Sequence, residues 1–288
     1  MKPDDLKLDD IKMQILSALQ EDIGDGDTTT DNIVAPQTSA RAEIIAKQDG
    51  MLAGIGVAEM VFRAIDPMIK FEACKNDGAA FTTGDTLAVI EGDGAAILKA
   101  ERTALNFLQR LIGIATLTSR FVKAVAGTGA MILDTRKTTP GWRVLEKHAV
   151  QCGGGANHRM GLYDAILIKE NHIRMAADTG RTIKQTLDAM REKFGRKMFI
   201  EIEAQNLNEV AACLSSTPDC ILLDNMSTAE MQQAVLMGRK TSENVLFEAS
   251  GNVSLETVAE IASTGVHRIS VGALTHSASA ADISLLFK

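Results

Sequence analysis

From about residue 130 onward, short apolar runs recur with helix-like stretches between them: Met131–Leu133, Ile166–Ile168, Met198–Ile202, Ile221–Leu223, Val245–Phe247 and Ile269–Val271. Runs this short and this continuously apolar read as strands buried on both faces, and the intervening stretches are long enough to hold crossover helices. One of them opens with Ser227-Thr228-Ala229-Glu230, which has the form of a capping box. The pattern predicts a parallel sheet with helices packed outside it, an α/β fold. In a (β/α) barrel every strand end points to one carboxyl-terminal rim, where sites are built. Only six runs are clear, so an incomplete barrel is expected. An open doubly wound sheet is the rival, but its marker, G-x-G-x-x-G after an early strand, is missing.

Residues 1–112 follow another rule. Leu8, Ile11, Ile15, Leu16 and Leu19 share one helical face. Short strands are expected near Ala42–Ala46, Ile69–Ala73 and Thr86–Glu91, with Asn76-Asp77-Gly78 and Gly92-Asp93-Gly94 as turns. A long helix then begins near Ala95 and carries Arg102 and Arg110 towards Val125. The expected organisation is an N-terminal α+β sandwich domain over residues 1–112, joined by the C-terminal segment 277–288, and an α/β-barrel catalytic domain over 113–276. The acidic loop Glu21–Thr29 invites a calcium reading. An EF-hand register started at Asp25 fails, because Thr29 and Thr30 stand where a ligand and a glycine belong.

At 288 residues and 45% hydrophobic, the chain can bury a full core. Its net charge of −7 and aromatic content of 4% argue against a nucleic-acid partner, which favours a basic face and stacking platforms. No apolar run approaches membrane-spanning length, so no membrane partner is expected. The start, Met1-Lys2-Pro3-Asp4-Asp5, lacks the apolar core of a signal peptide. Cys74, Cys152, Cys213 and Cys220 form no C-x-x-C pair and no zinc spacing, and read as reduced thiols of a cytoplasmic protein.

Against that acidic background, Arg136, Lys137, Arg143, Lys147, His148, His158, Arg159, Lys169, His172 and Arg174 crowd into one stretch. Cations held together repel unless a ligand or carboxylates offset them, so the expectation is a shared pocket for a small, highly anionic molecule. A solvated basic stripe would instead be mostly lysine at helical spacing. Here the cations sit among Thr138-Thr139-Pro140-Gly141 and Gly153-Gly154-Gly155, and the apolar Ala165–Ile168 runs straight into Lys169. The three glycines lack the G-x-x-x-x-G-K-[ST] pattern and read as a backbone hinge.

Three runs carry a resemblance. Asp134-Thr135-Arg136-Lys137-Thr138-Thr139-Pro140-Gly141, the stretch from Cys152 through Asn157-His158-Arg159 to Ala165, and Ile168-Lys169-Glu170-Asn171-His172-Ile173 are similar to the signature runs of quinolinate phosphoribosyltransferases. Glu101–Asn106 and the Asp22–Thr29 loop match as well. Two departures are His148, where the family has tyrosine, and Glu170, where aspartate is usual.

The resemblance implies transfer of phosphoribose from phosphoribosyl pyrophosphate (PRPP) to the ring nitrogen of quinolinate, with loss of CO2 and pyrophosphate, on the pathway to NAD. It also implies a type II phosphoribosyltransferase fold and a homodimer in which Arg102 reaches the neighbouring subunit's site; assemblies of dimers stay open. Quinolinate carries two adjacent carboxylates, which suit Arg136, Arg159 and His158. Lys137 and Lys169 would meet phosphates, or pair structurally with Glu203 or Asp224. Glu203 and Asp224, on successive strand ends, suit Mg²⁺ as hard oxygen ligands, with Glu201 as a possible substitute. Ser250-Gly251-Asn252 and Gly272-Ala273 follow the last two strands, the usual phosphate position in barrels. No organic cofactor is needed, since the quaternised ring accepts the electrons of decarboxylation. Two rivals remain: a Schiff-base enzyme using Lys169, and a non-enzymatic anion-binding protein of the same fold.

Overall fold

The computed structural model describes residues 8–35, 37–216, 218–241 and 244–288. The polar start read for a leader therefore lies outside the described residues. The chain divides into two compact units, one of residues 1–119, 138–154 and 274–288, the other of residues 120–137 and 155–273.

The first unit contains helices α1 (Leu8–Ile23), α2 (Thr30–Ile33) and α3 (Ile55–Ile65), strands β1 (Ser39–Ala46), β2 (Gly50–Met51), β3 (Lys70–Ala73), β4 (Ala80–Phe81) and β5 (Thr86–Asp93), and most of α4 (Gly94–Ala124). Its main sheet has the order β12-β1-β5-β3, where β12 is Ile283–Phe287 at the end of the chain. Every pairing in it is antiparallel. Along α1 the buried face is Ile11, Ile15 and Leu19, whereas Leu16 turns 41% exposed to solvent. Leu16 sits about 100° from Ile15 on a helix of 3.6 residues per turn, so the two cannot share a narrow stripe. The acidic loop does helix-capping work: the Asp27 carboxylate accepts from the N–H groups of Thr29 and Thr30 and from the Thr30 hydroxyl.

Helix α5 (Arg143–Cys152) belongs to this first unit, although it lies in the middle of the basic stretch. Glu146, fully buried, explains why. Its carboxylate takes two hydrogen bonds from the Arg110 guanidinium at 2.9 and 3.2 Å, and others from the N–H and hydroxyl of Thr139. Arg110 also donates to the carbonyls of Thr275 and Ala278. One buried ion pair thus ties α4, the loop before α5 and the C-terminal segment together. Trp142 adds a ring stacked on Phe107 at 4.6 Å. At the other end of α5, Gly153 is required by space: a Cβ there would overlap the Ala115 carbonyl and lie 2.6 Å from Thr118 Cβ. Gly154 follows at φ +86°, and the unit boundary falls just after it.

The second unit carries a six-stranded parallel sheet of β6 (Met131–Leu133), β7 (Ile166–Ile168), β8 (Ile200–Ala204), β9 (Cys220–Asp224), β10 (Leu246–Ser250) and β11 (Arg268–Ser270), in the order β6-β11-β10-β9-β8-β7. Helices α6 (Glu170–Ala177), α7 (Ile183–Phe194), α8 (Leu207–Leu214), α9 (Thr228–Thr241) and α10 (Val258–Ser263) connect the strands, and α11 (Ala273–His276) follows the last. The capping box read in the sequence forms, with Ser227 N–H donating to Glu230 and Glu230 N–H to Ser227 Oγ. All six apolar runs are strands, yet β8 and β10 extend beyond their runs to Ala204 and Ser250. The extensions take in Glu203 and Glu248, which with Glu201 inside the β8 run are buried in the sheet. Among the described residues, no helix is long and apolar enough to cross a membrane.

Candidate active site

In the second unit, the carboxyl ends of the strands bring together Asp134 after β6, Lys169 after β7, Glu203 near the end of β8, Asp224 closing β9 and Ser250 closing β10. Lys169 Nζ lies 3.7 Å from Glu203 Oε2, with Lys169 half-exposed and Glu203 nearly buried. Burial pushes the Glu203 carboxyl up, Lys169 offsets part of that, and the Asp224 carboxylate adds to the rise. Two carboxyl groups at adjacent strand ends, one of them raised by burial and by the charge of the other, are hard oxygen donors that suit a divalent cation such as Mg²⁺.

Arg136 and Arg159 also lie within electrostatic reach. Burial, then the Arg136 guanidinium, loosens the hold of Arg159 on its proton, with Asp164 and Glu201 opposing. Arg159 is anchored by Nη1 donating to the Ala165 carbonyl at 3.1 Å. Arg136 and Lys137 are exposed at the end of β6. Two guanidiniums that repel one another favour an anion between or beside them.

His158 sits deeper. Its backbone N–H donates to the fully buried Asp134 carboxylate at 2.9 Å. Its Nε2 lies 2.9 Å from Glu201 and 3.5 Å from Glu248, and its Nδ1 accepts from the Arg159 N–H at 2.7 Å. Both ring nitrogens are therefore engaged by the protein. Glu201, one step of the strand pleat from Glu203, belongs to this buried layer and not to the rim pair. Glu248 is held protonated up to about 8, chiefly by burial and then by the neighbouring Glu201 charge. Glu248 and Asp134 were not singled out as site residues in the sequence. The signal for Glu248 was a lone acid in an apolar strand, on the same face as Ser250 by the two-residue period.

The loop after β10 is shaped for close backbone approach. Gly251 has φ +96° and Asn252 φ +50°, and a Cβ on Gly251 would overlap the Asn225 side chain. Asn225, itself at φ +55°, receives a hydrogen bond from Asn252 and donates one to Asp224 at 2.9 Å. Gly272-Ala273 leads into the single-turn α11. Arg102 is exposed on α4 of the first unit.

The ten cations of the basic stretch are divided between the two units. Arg143, Lys147 and His148 belong to the first unit: Arg143 donates to Thr138, His148 pairs with Asp77, and Lys147 is buried. His172 receives the Lys169 N–H and caps the start of α6.

Residues 27–112 match the family description "Quinolinate phosphoribosyl transferase, N-terminal domain" and residues 114–286 the C-terminal domain of the same family. A quinolinate phosphoribosyltransferase [decarboxylating] of Nicotiana tabacum is 43% identical over 289 aligned positions, covering 96% of this chain and 82% of that one. A probable nicotinate-nucleotide pyrophosphorylase [carboxylating] of Synechocystis is 40% identical, covering 88% and 85%. Among solved structures, the nicotinate-nucleotide pyrophosphorylase of Francisella tularensis superposes with TM-score 0.91 at 37% identity, covering 97% of this chain and 96% of that one. With both domain descriptions and nearly the whole length matched, this chain belongs to the quinolinate phosphoribosyltransferase family, with its type II phosphoribosyltransferase fold.

Proposed function

We propose that the strand-end cluster of the second unit is where this chain carries out the family's reaction. As a quinolinate phosphoribosyltransferase (decarboxylating), a pentosyltransferase of NAD biosynthesis, it joins the phosphoribosyl group of PRPP to quinolinate and releases nicotinate mononucleotide, pyrophosphate and CO2. The observation that carries the assignment of the site is the pair of mutually repelling guanidiniums, Arg136 and Arg159, in a chain of net charge −7. They suit the two carboxylates of quinolinate, gripped through planar forks. His158 serves the same pocket by fixing the Arg159 backbone. Lys137 and Lys169 receive phosphate oxygens, and Lys169 leaves Glu203 for them when substrate enters. Ser250, Gly251, Asn252, Gly272 and Ala273 offer backbone N–H groups to the 5-phosphate.

Glu203 and Asp224 would hold Mg²⁺ arriving with PRPP, which neutralises charge gathering on the pyrophosphate. The pyrophosphate leaves with the bonding pair, Glu203 and Asp224 face the positive charge that develops at the ribose carbon, and the ring nitrogen donates its pair to that carbon. The carbon–carbon bond to the adjacent carboxylate then breaks, its electrons enter the positive ring, and a proton takes the vacated position. Nothing in this sequence needs a protein nucleophile; positioning and charge complementarity supply the rate. The active form is a homodimer, with the exposed Arg102 of one copy completing the other's site, in the reduced setting of the cytoplasm. The test is turnover of quinolinate, PRPP and Mg²⁺ by the wild-type chain and by Glu203→Ala. Equal CO2 release from both, or covalent trapping of a carbonyl substrate on Lys169 by borohydride, refutes the assignment.

A further inference from the structure

The first unit holds a second cluster that the transferase reaction does not use. His148 and Cys152 stand four residues apart on α5 and so share one face. Asp77 reaches them from the turn after β3. His148 Nε2 lies 2.8 Å from Asp77 Oδ2 and 3.4 Å from Cys152 Sγ, and one donor atom from each residue falls within 4.8 Å of the others. A cavity of 630 Å³ opens beside them, lined also by Met51, Gly78, Gln151 and Gly153. We propose that Asp77, His148 and Cys152 form a binding site for a borderline-soft divalent cation, Zn²⁺ foremost, with the fourth position open to the cavity.

Three features support the assignment. The donor set is chemically selective: thiolate with imidazole suits Zn²⁺ and disfavours Mg²⁺. The spacing is close to what an ion needs, since ligands at about 2.0–2.3 Å in a tetrahedron stand roughly 3.3–3.7 Å apart. The imidazole–thiol separation fits as it is, and the imidazole–carboxylate pair must open by about half an ångström. The donors are also held in advance. The Asp77 carboxylate accepts from the N–H groups of Gly54 and Ile55 at 2.9 and 3.0 Å, the supporting hydrogen bonds a ligating carboxylate needs. The close approach at Gly153 fixes the end of α5 that carries Cys152. Without an ion the trio is mismatched, because Nε2 cannot donate a proton to Asp77 and accept one from the thiol together. Binding exchanges the Cys152 S–H bond for a sulfur–metal bond and releases one proton to solvent.

The probe is Co²⁺, whose bond to a thiolate gives a near-ultraviolet charge-transfer band. Chelator-treated full-length chain, kept reduced with a phosphine, is titrated with CoCl2 and then with ZnCl2. The expected result is a band that saturates at one equivalent per chain and is displaced by Zn²⁺. Cys152→Ser should abolish it. His148→Tyr should weaken apparent affinity by at least the roughly 10–100-fold that losing a mere supporting hydrogen bond costs. No band in the wild type overturns the site, as does a band that survives Cys152→Ser or is untouched by His148→Tyr. Either failure leaves the quinolinate assay, which reads the second unit, unaffected.

Discussion

His148 and His158 are ten residues apart in sequence, each beside a carboxylate, yet their surroundings differ in kind. His158 faces two acids at 0–2% side-chain exposure, and its own ring is 12% exposed. His148 meets one acid that is 23% exposed, beside a thiol and an open cavity. The first is a dry knot with more acid groups than imidazoles, where burial keeps one of the acids protonated. The second adjoins a cavity from which a new partner can reach it. The difference shows how the same residue pair becomes scaffold in one place and a candidate binding site in another.

The contrast can be broken most directly by removing each imidazole. His158→Ala leaves the buried Glu201 without its partner at 2.9 Å and should cost about 3 kcal/mol or more of stability, read from urea unfolding. If it costs no more than His148→Ala, the distinction drawn here is wrong. A smaller effect is expected next to that knot, where Arg159→Ala removes a charged grip on the substrate. Its KM for quinolinate should rise about tenfold to a hundredfold, from the 1.5–3 kcal/mol of a charge-assisted hydrogen bond. An unchanged KM would take Arg159 out of the pocket.

Glu248 sharpens the comparison through pH. The folded chain keeps its proton up to about 8, whereas the unfolded carboxyl releases near 4.5, so the folded state binds more protons across that window. Stability therefore declines as pH rises through it. Glu248→Gln, neutral throughout, should flatten the decline between about pH 5 and pH 8 in urea midpoints. A decline as steep as wild type would place the retained proton elsewhere. Smallest of all is His148→Ala in metal-free protein, where Asp77 keeps the N–H groups of Gly54 and Ile55 as donors, so the loss should cost about 1 kcal/mol by thermal melting.

Much of this was legible in the sequence where the physics is local. The six apolar runs, the capping box at Ser227 and the long helix from Gly94 follow from periodicity and end chemistry. Lys169, Glu203 and Asp224 were readable because each stands at the end of a strand in a parallel sheet. Glu201 and Glu248 were less so, since a buried acid interrupts the apolar pattern that marks a strand and its partner lies far off in sequence. The division of the basic stretch between two units has the same origin. The packing of α5 within the first unit depends on Arg110 meeting Glu146, a contact that spacing does not encode.

The pairing of β12 with β1 joins residues near 285 to residues near 44 in one ladder. A ribosome making this protein releases β1 long before its neighbour exists. Until β12 emerges, one margin of that sheet offers unsatisfied amides and carbonyls to any passing strand. Clipping β12 away would therefore reopen that margin permanently and leave a template for aggregation.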